Sequence, residues 1–289
     1  MTPATAILVV GDALLDVSVT PSEPIRPGGD VRAEIRLGPG GQGANVAVRL
    51  ARRGIAVRLA CALADDAAGR LVRDALDMEG IAIDAAPADA TGSVVIMVDA
   101  QGERTMLSHR TPIPPRSVEP APWTVVSGYT LLGDGELELR GSGRRAVLGC
   151  SVPPGTEEAW WLRADELRPD LVILNAEEAA AIGADARSLA LEAAALVVIT
   201  GPDGAIAATA HPDAGVRRAN AERATGHDST GAGDAFAAAF IAELHDEPTW
   251  GDADLDRALA AGLRLAAQVA SVTGAQARVE GERPGRQAG

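Results

Sequence analysis

DSTGAGDAF, residues Asp228 to Phe236, is the stretch from which the rest of the chain can be read. Gly231, Ala232 and Gly233 carry almost no side-chain bulk, so consecutive backbone N–H groups can approach an anion closely. The segment that follows, AFAAAFIAEL, is long, apolar on one side and free of Pro and Gly, and it predicts a helix. The unpaired N–H groups of its first turn and the positive end of its dipole then face whatever sits over the loop. Asp234 falls just inside that helix start. A carboxylate beside an anion hole binds phosphate poorly, but it is well placed to take a proton from an attacking hydroxyl. For a bare G-x-G-D string, an Asp that merely stabilises a helix N-terminus fits equally well. The full nine-residue string is far more specific.

Composition narrows the classes of function. A chain of 289 residues suits one large α/β domain, or one domain with a small appendage. A hydrophobic content of 47% supports a substantial core, and no apolar run is long enough to cross a membrane. The opening MTPATAILVVGD lacks a basic region and suits a first buried strand better than a signal peptide. Cys61 and Cys150 lack metal-ligand spacing and read as buried free thiols in a reducing cytosol, so a cytoplasmic location is expected. A net charge of −14 argues against nucleic acid as partner. All 26 basic residues are arginine and none is lysine, which excludes a Walker A loop and lysine Schiff-base chemistry. Any phosphate handled here must be met by arginine, backbone N–H groups, a helix end or a metal.

Along the chain, Ile7 to Val10 is a continuous apolar run, as in a strand covered on both faces, and Asp12 and Asp16 follow it. Residues 17 to 37 alternate loosely about a Pro/Gly-rich turn at Pro24 to Gly29, predicting a hairpin with one exposed face. Gly40-Gly41 leads into a predicted helix from Ala44 to Arg53, stopped by Gly54. A strand at Val57 to Ala60 and a helix at Ala67 to Met78 come next. Residues 92 to 108 predict a second hairpin, turning at Ala100 to Gly102. The runs at 125–129, 146–150, 171–175 and 196–200 then alternate with helical patterns, implying a parallel sheet covered on both sides, with ligands at its carboxyl edge. The hairpins break that alternation and are placed outside it, as a lid of segments 17–37 and 92–108 on a domain of residues 1–278. The stretch between Tyr129 and Val147 is too short for a full crossover helix. The polar VEGERPGRQAG from Val279 is expected to be a flexible tail.

GPGGQGAN contains a decoy. Gly38, Gly40 and Gly43 satisfy G-x-G-x-x-G, but the acidic partner about twenty residues on is missing, and the fingerprint should follow the first core strand. The better reading is a glycine turn that lets backbone approach a polyhydroxylated substrate, with Asn45 supplying a two-way hydrogen-bonding amide. NAEEAAAI at 175–182 follows a strand; taken alone it reads as a capped helix start. VVITGPDGA at 197–205, taken alone, is a turn between two strands. His109 and His227 have no partner at catalytic spacing and read as non-catalytic.

Two strings carry a resemblance to a known family. DSTGAGDAF resembles the second signature of the ribokinase-like (PfkB) sugar and nucleoside kinases, and GGQGANVAVRLARRG at 40–54 resembles the first. The resemblance implies a three-layer α/β sandwich with a mostly parallel central sheet and a small β-sheet lid, which in some relatives also forms a homodimer interface. It implies an ATP-dependent kinase acting on a primary hydroxyl of a small sugar or nucleoside, with Asp234 as base and the Gly231, Ala232 and Gly233 amides as anion hole. It assigns Asp16, Gly41 and Asn45 to the acceptor, and Asn175 and Glu178 (N-x-x-E) to Mg²⁺ near the triphosphate. Gly201 and Gly204 match the nucleotide loop, and the helix from Leu255 to Val272 with the TGAQ after it matches the adenine site. Asp228 and the Thr230 carbonyl are candidates for a monovalent cation such as K⁺. Arg104 on the second hairpin is the candidate cation closing over the phosphates, beside the plain alternative of a solvent-facing strand arginine. Two departures stand out. Gln42 occupies a position commonly lysine in ribokinases proper, and AVLGC lacks the Asp that many relatives carry after this strand. A rival class remains, a ribokinase-like binding or regulatory protein that transfers no phosphate.

Overall fold

The computed structural model describes residues 7–99, 104–114, 116–119, 121–133, 137–139, 141–183, 185–193, 195–210, 215–223, 230–272 and 274–283; of Arg104 and Arg116 it describes the backbone alone. Strand β1 (Ile7–Val10) is followed by β2 (Leu14–Pro21), β3 (Ala33–Gly40), α1 (Gln42–Arg52), β4 (Val57–Leu63), α2 (Ala67–Met78) and β5 (Ala82–Pro87). Then come β6 (Ser93–Val98), β7 (Arg104–His109), β8 (Arg116–Val118), β9 (Trp123–Val126), a 3-10 turn at Gly128–Leu132, β10 (Leu137–Leu139) and β11 (Arg144–Leu148). The rest is α3 (Glu157–Glu166), β12 (Leu171–Asn175), α4 (Ala176–Ile182), α5 (Ala186–Ala193), β13 (Leu196–Gly201), β14 (Gly204–Ala208), β15 (Arg217–Asn220), α6 (Ala232–Leu244) and α7 (Asp252–Val269).

Nine strands form the main sheet in the order β15-β14-β13-β12-β11-β9-β1-β4-β5. The seven from β13 to β5 run parallel, and β14 and β15 add an antiparallel edge. Runs such as ILVV and LVIL are buried throughout because both faces of the sheet are covered. On one face Ile7, Val9, Val125, Ile173 and Val198 pack with Val46 and Leu50 of α1, Phe236 and Phe240 of α6, and Leu259 of α7. On the other, Val126, Val147, Val172 and Val197 pack with Trp160 and Trp161 of α3 and Leu189 of α5.

That second face changes character beside β1. Leu8, Val10 and Ala60 are covered by Val118 and Ala121, with Leu137 and Leu139 against them. β8 and β10 pair as a two-stranded ribbon. A 3-10 turn and this ribbon therefore stand where the short 129–147 stretch leaves no room for a crossover helix, and the sheet is still covered.

The two hairpins lie outside the main sheet, as a four-stranded sheet ordered β3-β2-β6-β7. β2 and β6 are parallel; the other two pairings are antiparallel. The first hairpin begins at Leu14, three residues before the alternation becomes visible in the sequence, so Asp16 belongs to a lid strand opposite Gly38. α7 ends at Val269, short of Val272, and β9 stops at Val126, before the glycine of VVSGY.

The polar segment from Val279 departs most from expectation. As far as Arg283 it is fastened, not loose. The Glu282 side chain is 5% exposed and pairs with Arg49 at 2.7 Å and Arg52 at 3.2 Å. The Arg283 N–H donates to the Arg52 carbonyl at 3.0 Å. The partners lie some 230 residues away on α1, where no local pattern in the tail can point to them. Residues 284–289 of the expected tail lie outside the described residues.

Candidate active site

The site starts at the N-terminus of α6. Residues Ala235 to Ile241 are all buried, so the helix is held by its packing. Its N-cap, Gly231, adopts the left-handed conformation (φ 77°), and as glycine it offers no capping side chain. A Cβ at Gly231 would lie 2.7 Å from the Ala275 Cβ, so both conformation and space demand glycine. Asp234 sits in the first turn, where the helix dipole favours a negative charge.

The Asp234 carboxylate accepts from Asn45 Nδ2 at 2.8 Å, and Asn45 Oδ1 in turn accepts from Gln276 Nε2 at 2.9 Å. Burial pushes the Asp234 carboxyl up to about 7. The Asn45 hydrogen bond opposes this, Asp12 and Asp16 reinforce it through like charge, and Arg49 pulls it back. Asp234 is nonetheless partly exposed, because it opens onto a cavity of about 170 Å³ lined by Gly231, Gly233, Asn175, Glu178, Gln42 and Gly149, among others.

Glu178 and Asn175 form the capping box of α4: Asn175 Oδ1 accepts from the Glu178 N–H and Glu178 Oε2 from the Asn175 N–H, both at 2.8 Å. The helix-cap reading is therefore realised. The Glu178 carboxylate also lies over Gly149, where a Cβ would come within 2.1 Å of it, and burial raises its pKa. A desolvated carboxylate facing the cavity of Asp234 fits Mg²⁺, which needs few protein oxygens and keeps its waters. Among the described residues no cluster of three or more His, Cys, Asp or Glu could hold a metal unaided. Gln42 acts as a brace: it donates to the Gly149 carbonyl at 2.8 Å and accepts from Ser127 Oγ at 2.7 Å and the Gly128 N–H at 3.0 Å.

Asp16 lies beneath the lid, at a cleft of about 490 Å³ that also takes in Ser18, Thr20, Ile96, Thr230 and Gln276. Burial raises its pKa to about 6, helped by Asp12 and opposed by Arg110. Asp12 is buried; it accepts from the Gly43 N–H and from Ser127 Oγ, each at 3.2 Å, and forms an ion pair with Arg110. The Arg110 guanidinium lies 3.5 Å from the centre of the Tyr129 ring. Motif reading missed Arg110, Tyr129 and Ser127, gave Asp12 no role, and placed Gln276 of TGAQ only at the adenine site, without its contact to Asn45.

Gly41 opens α1 with φ 96°, its carbonyl accepting from the Asn45 N–H, but it lines neither cavity. Gly201 and Gly204 close the β13–β14 hairpin and also line neither, whereas the adjacent Thr200 lines the smaller one. Thr230 reaches the larger cleft. Asp228 and His227 lie outside the described residues, as does the Arg104 side chain; the Arg104 backbone pairs with Val98 at the lid edge.

Comparison with solved structures gives the fold first. The adenosine kinase of Sinorhizobium meliloti superposes with a TM-score of 0.76 at 20% identity, over 95% of this chain and 96% of that one. The ribokinase of Cryptococcus neoformans var. grubii, in complex with ADP, gives 0.70 at 22% identity, over 94% and 96%. The aminoimidazole riboside kinase of Salmonella enterica, complexed with aminoimidazole riboside and an ATP analogue, gives 0.71 at 23%, over 94% and 95%. The fold is thus ribokinase-like. A fructokinase of Klebsiella pneumoniae is 29% identical over 269 residues, spanning 82% of this chain and 84% of that one. The profile of the pfkB family of carbohydrate kinases matches residues 4–127 and 160–281, and the chain belongs to that family. By family it is a carbohydrate kinase.

Proposed function

We propose that the protein transfers the γ-phosphoryl group of ATP to a primary hydroxyl of a small, uncharged sugar or nucleoside. Asp234 takes the hydroxyl proton, the freed oxygen forms a bond to the γ-phosphorus, and the bond to the bridging oxygen breaks to release ADP. First-turn amides at Gly231, Ala232 and Gly233 stabilise the charge on the transferring group. The observation that carries this reading is the Asp234 carboxylate, held by Asn45 and opening onto the cavity it shares with Gly231, Gly233, Asn175 and Glu178.

Glu178, with Asn175 beside it, would hold Mg²⁺, whose charge would offset that of the phosphates. A K⁺ role for Thr230 and Asp228, and nucleotide contacts at Gly201 and Gly204, follow from the motifs alone. Asp16 suits vicinal hydroxyls, since a carboxylate accepts from two at once. Asp12, Asp16 and Asp234 bring three carboxylates together, with Arg110 paired to Asp12 and Arg49 acting on Asp234 while itself paired to Glu282, and that excess of negative charge favours a neutral acceptor over a sugar phosphate or sugar acid.

ADP release measured over a panel of neutral sugars, nucleosides, sugar acids and sugar phosphates tests the reading. ATP-dependent turnover of a neutral member, abolished in Asp234→Asn, is expected. Tight nucleotide binding with no turnover of any member would favour the phosphate-silent binding protein.

The lid also suits a second copy of this chain. Leu37, Val17, Val95 and Leu107 lie in register across its four strands, on the face opposite Asp16. Leu37 and Leu107 are 59% and 57% exposed, and Ile35 on the same face 62%.

A further inference from the structure

Arg49 is a buried cation that the reaction as proposed does not use. It lies on α1 one turn beyond Asn45, with its side chain 0% exposed. Burying a guanidinium is costly unless it is paired, and a leucine or methionine would fill the same helix position without that cost. Its Nη1 donates to Glu282 at 2.7 Å and its Nη2 to the Ala275 carbonyl at 2.6 Å, while its Nε has no hydrogen-bond partner among the described residues. Both partners belong to the segment that follows α7.

A staple for that segment would explain the pair, but the fastened residues are the ones that reach the base. Ala275 packs against Gly231 at the mouth of the anion cradle. Gln276, the next residue, donates to Asn45 Oδ1, which obliges the Asn45 amide to present its NH₂ to Asp234. Arg52 backs the arrangement, holding the Gln276 carbonyl at 2.9 Å and Glu282 at 3.2 Å. We propose that Arg49 and Glu282 are positioning residues for phosphoryl transfer: by fixing residues 275–283 they hold Gln276 against Asn45 and so set the orientation and charge of Asp234. The proposal rests on Asp234 being the base. The charged groups facing Asp234 are Arg49 on α1, Asp12 after β1 and Asp16 on β2; Glu178 lines the same cavity, and Arg110 reaches it through Asp12. Arg49 is the cation among them that favours the ionised base directly.

The test uses the full chain and four variants: Arg49→Met, Arg49→Lys, Glu282→Gln and Gln276→Leu. The last removes the final link and leaves the ion pair intact. Turnover should fall tenfold or more in Arg49→Met, Glu282→Gln and Gln276→Leu, with KM for ATP within about threefold of the parent. The carboxyl ¹³C titration of Asp234 should move to higher pH in Arg49→Met and Gln276→Leu, and Arg49→Lys should bring it back towards the parent; Glu282→Gln, which leaves the Arg49 charge in place, is read by its turnover. If Arg49→Met does not fold, Glu282→Gln and Gln276→Leu decide the matter. Folded variants with parental turnover and an unmoved Asp234 titration would overturn the proposal even while Asp234→Asn stays inactive. Full activity in Asp234→Asn would instead remove the base itself, a separate failure.

Discussion

At the scale of single residues, the chemistry turns on the ionisation of Asp234. Replacing it with Asn keeps the contact to Asn45 and removes the proton acceptor, so turnover should drop about 10²–10⁴-fold while nucleotide affinity, measured by calorimetry, is retained. With the carboxyl raised to about 7, the acceptor's kcat/KM should fall with a one-proton slope as pH drops below that value. The effect on stability has the opposite sense. An aspartate whose folded pKa exceeds its unfolded value binds its proton more tightly when folded, so stability falls as pH rises from about 4 to about 7. Asp234→Asn should therefore be the more stable protein at pH 8, by about 1–3 kcal/mol, and the gain should vanish near pH 4 in thermal melts. Parent and variant melting alike at pH 8 would contradict the raised pKa. Asp234 and Asn45 stood out as candidates because each sits in a short motif of characteristic residue types, and Asp16 because the family resemblance singles it out. Arg110 and the contact of Gln276 to Asn45 did not, since their partners stand 98 and 231 residues away and the pairing arises only in the folded chain.

At the scale of elements, the alternation of apolar runs with helical patterns was enough to separate a parallel sheet from two hairpins, and α2 was readable to the residue. What could not be read was substitution between kinds of element. The β8–β10 ribbon covers a face that a helix would otherwise cover, and three-residue strands leave too little alternation to recognise. The start of α6 makes a sharp prediction. Gly231→Ala places a side chain in a left-handed backbone and against Ala275, so it should cost about 1–2 kcal/mol in denaturant melts and lower turnover as well. The lid predicts a different split. Asp16→Ala should raise KM for the acceptor by tenfold or more and leave KM for ATP near that of the parent, because Asp16 lies on a lid strand and lines the larger cleft but not the smaller one.

At the scale of the whole molecule, the apolar row across the lid predicts self-association. Light scattering should report a dimer, and Leu37→Glu with Leu107→Glu should yield a monomer that keeps its fold. The clamp of residues 275–283 has a consequence of another kind. The groups that act on the base run along the sequence from Asp12, through its charge, to Glu282, through Arg49. The sheet and the glycine turn can be complete while residues 275–283 are still undocked, yet Asp234 gains its last support only when that segment closes back onto α1. Competence is thus the final step of assembly, taken after the scaffold is already built.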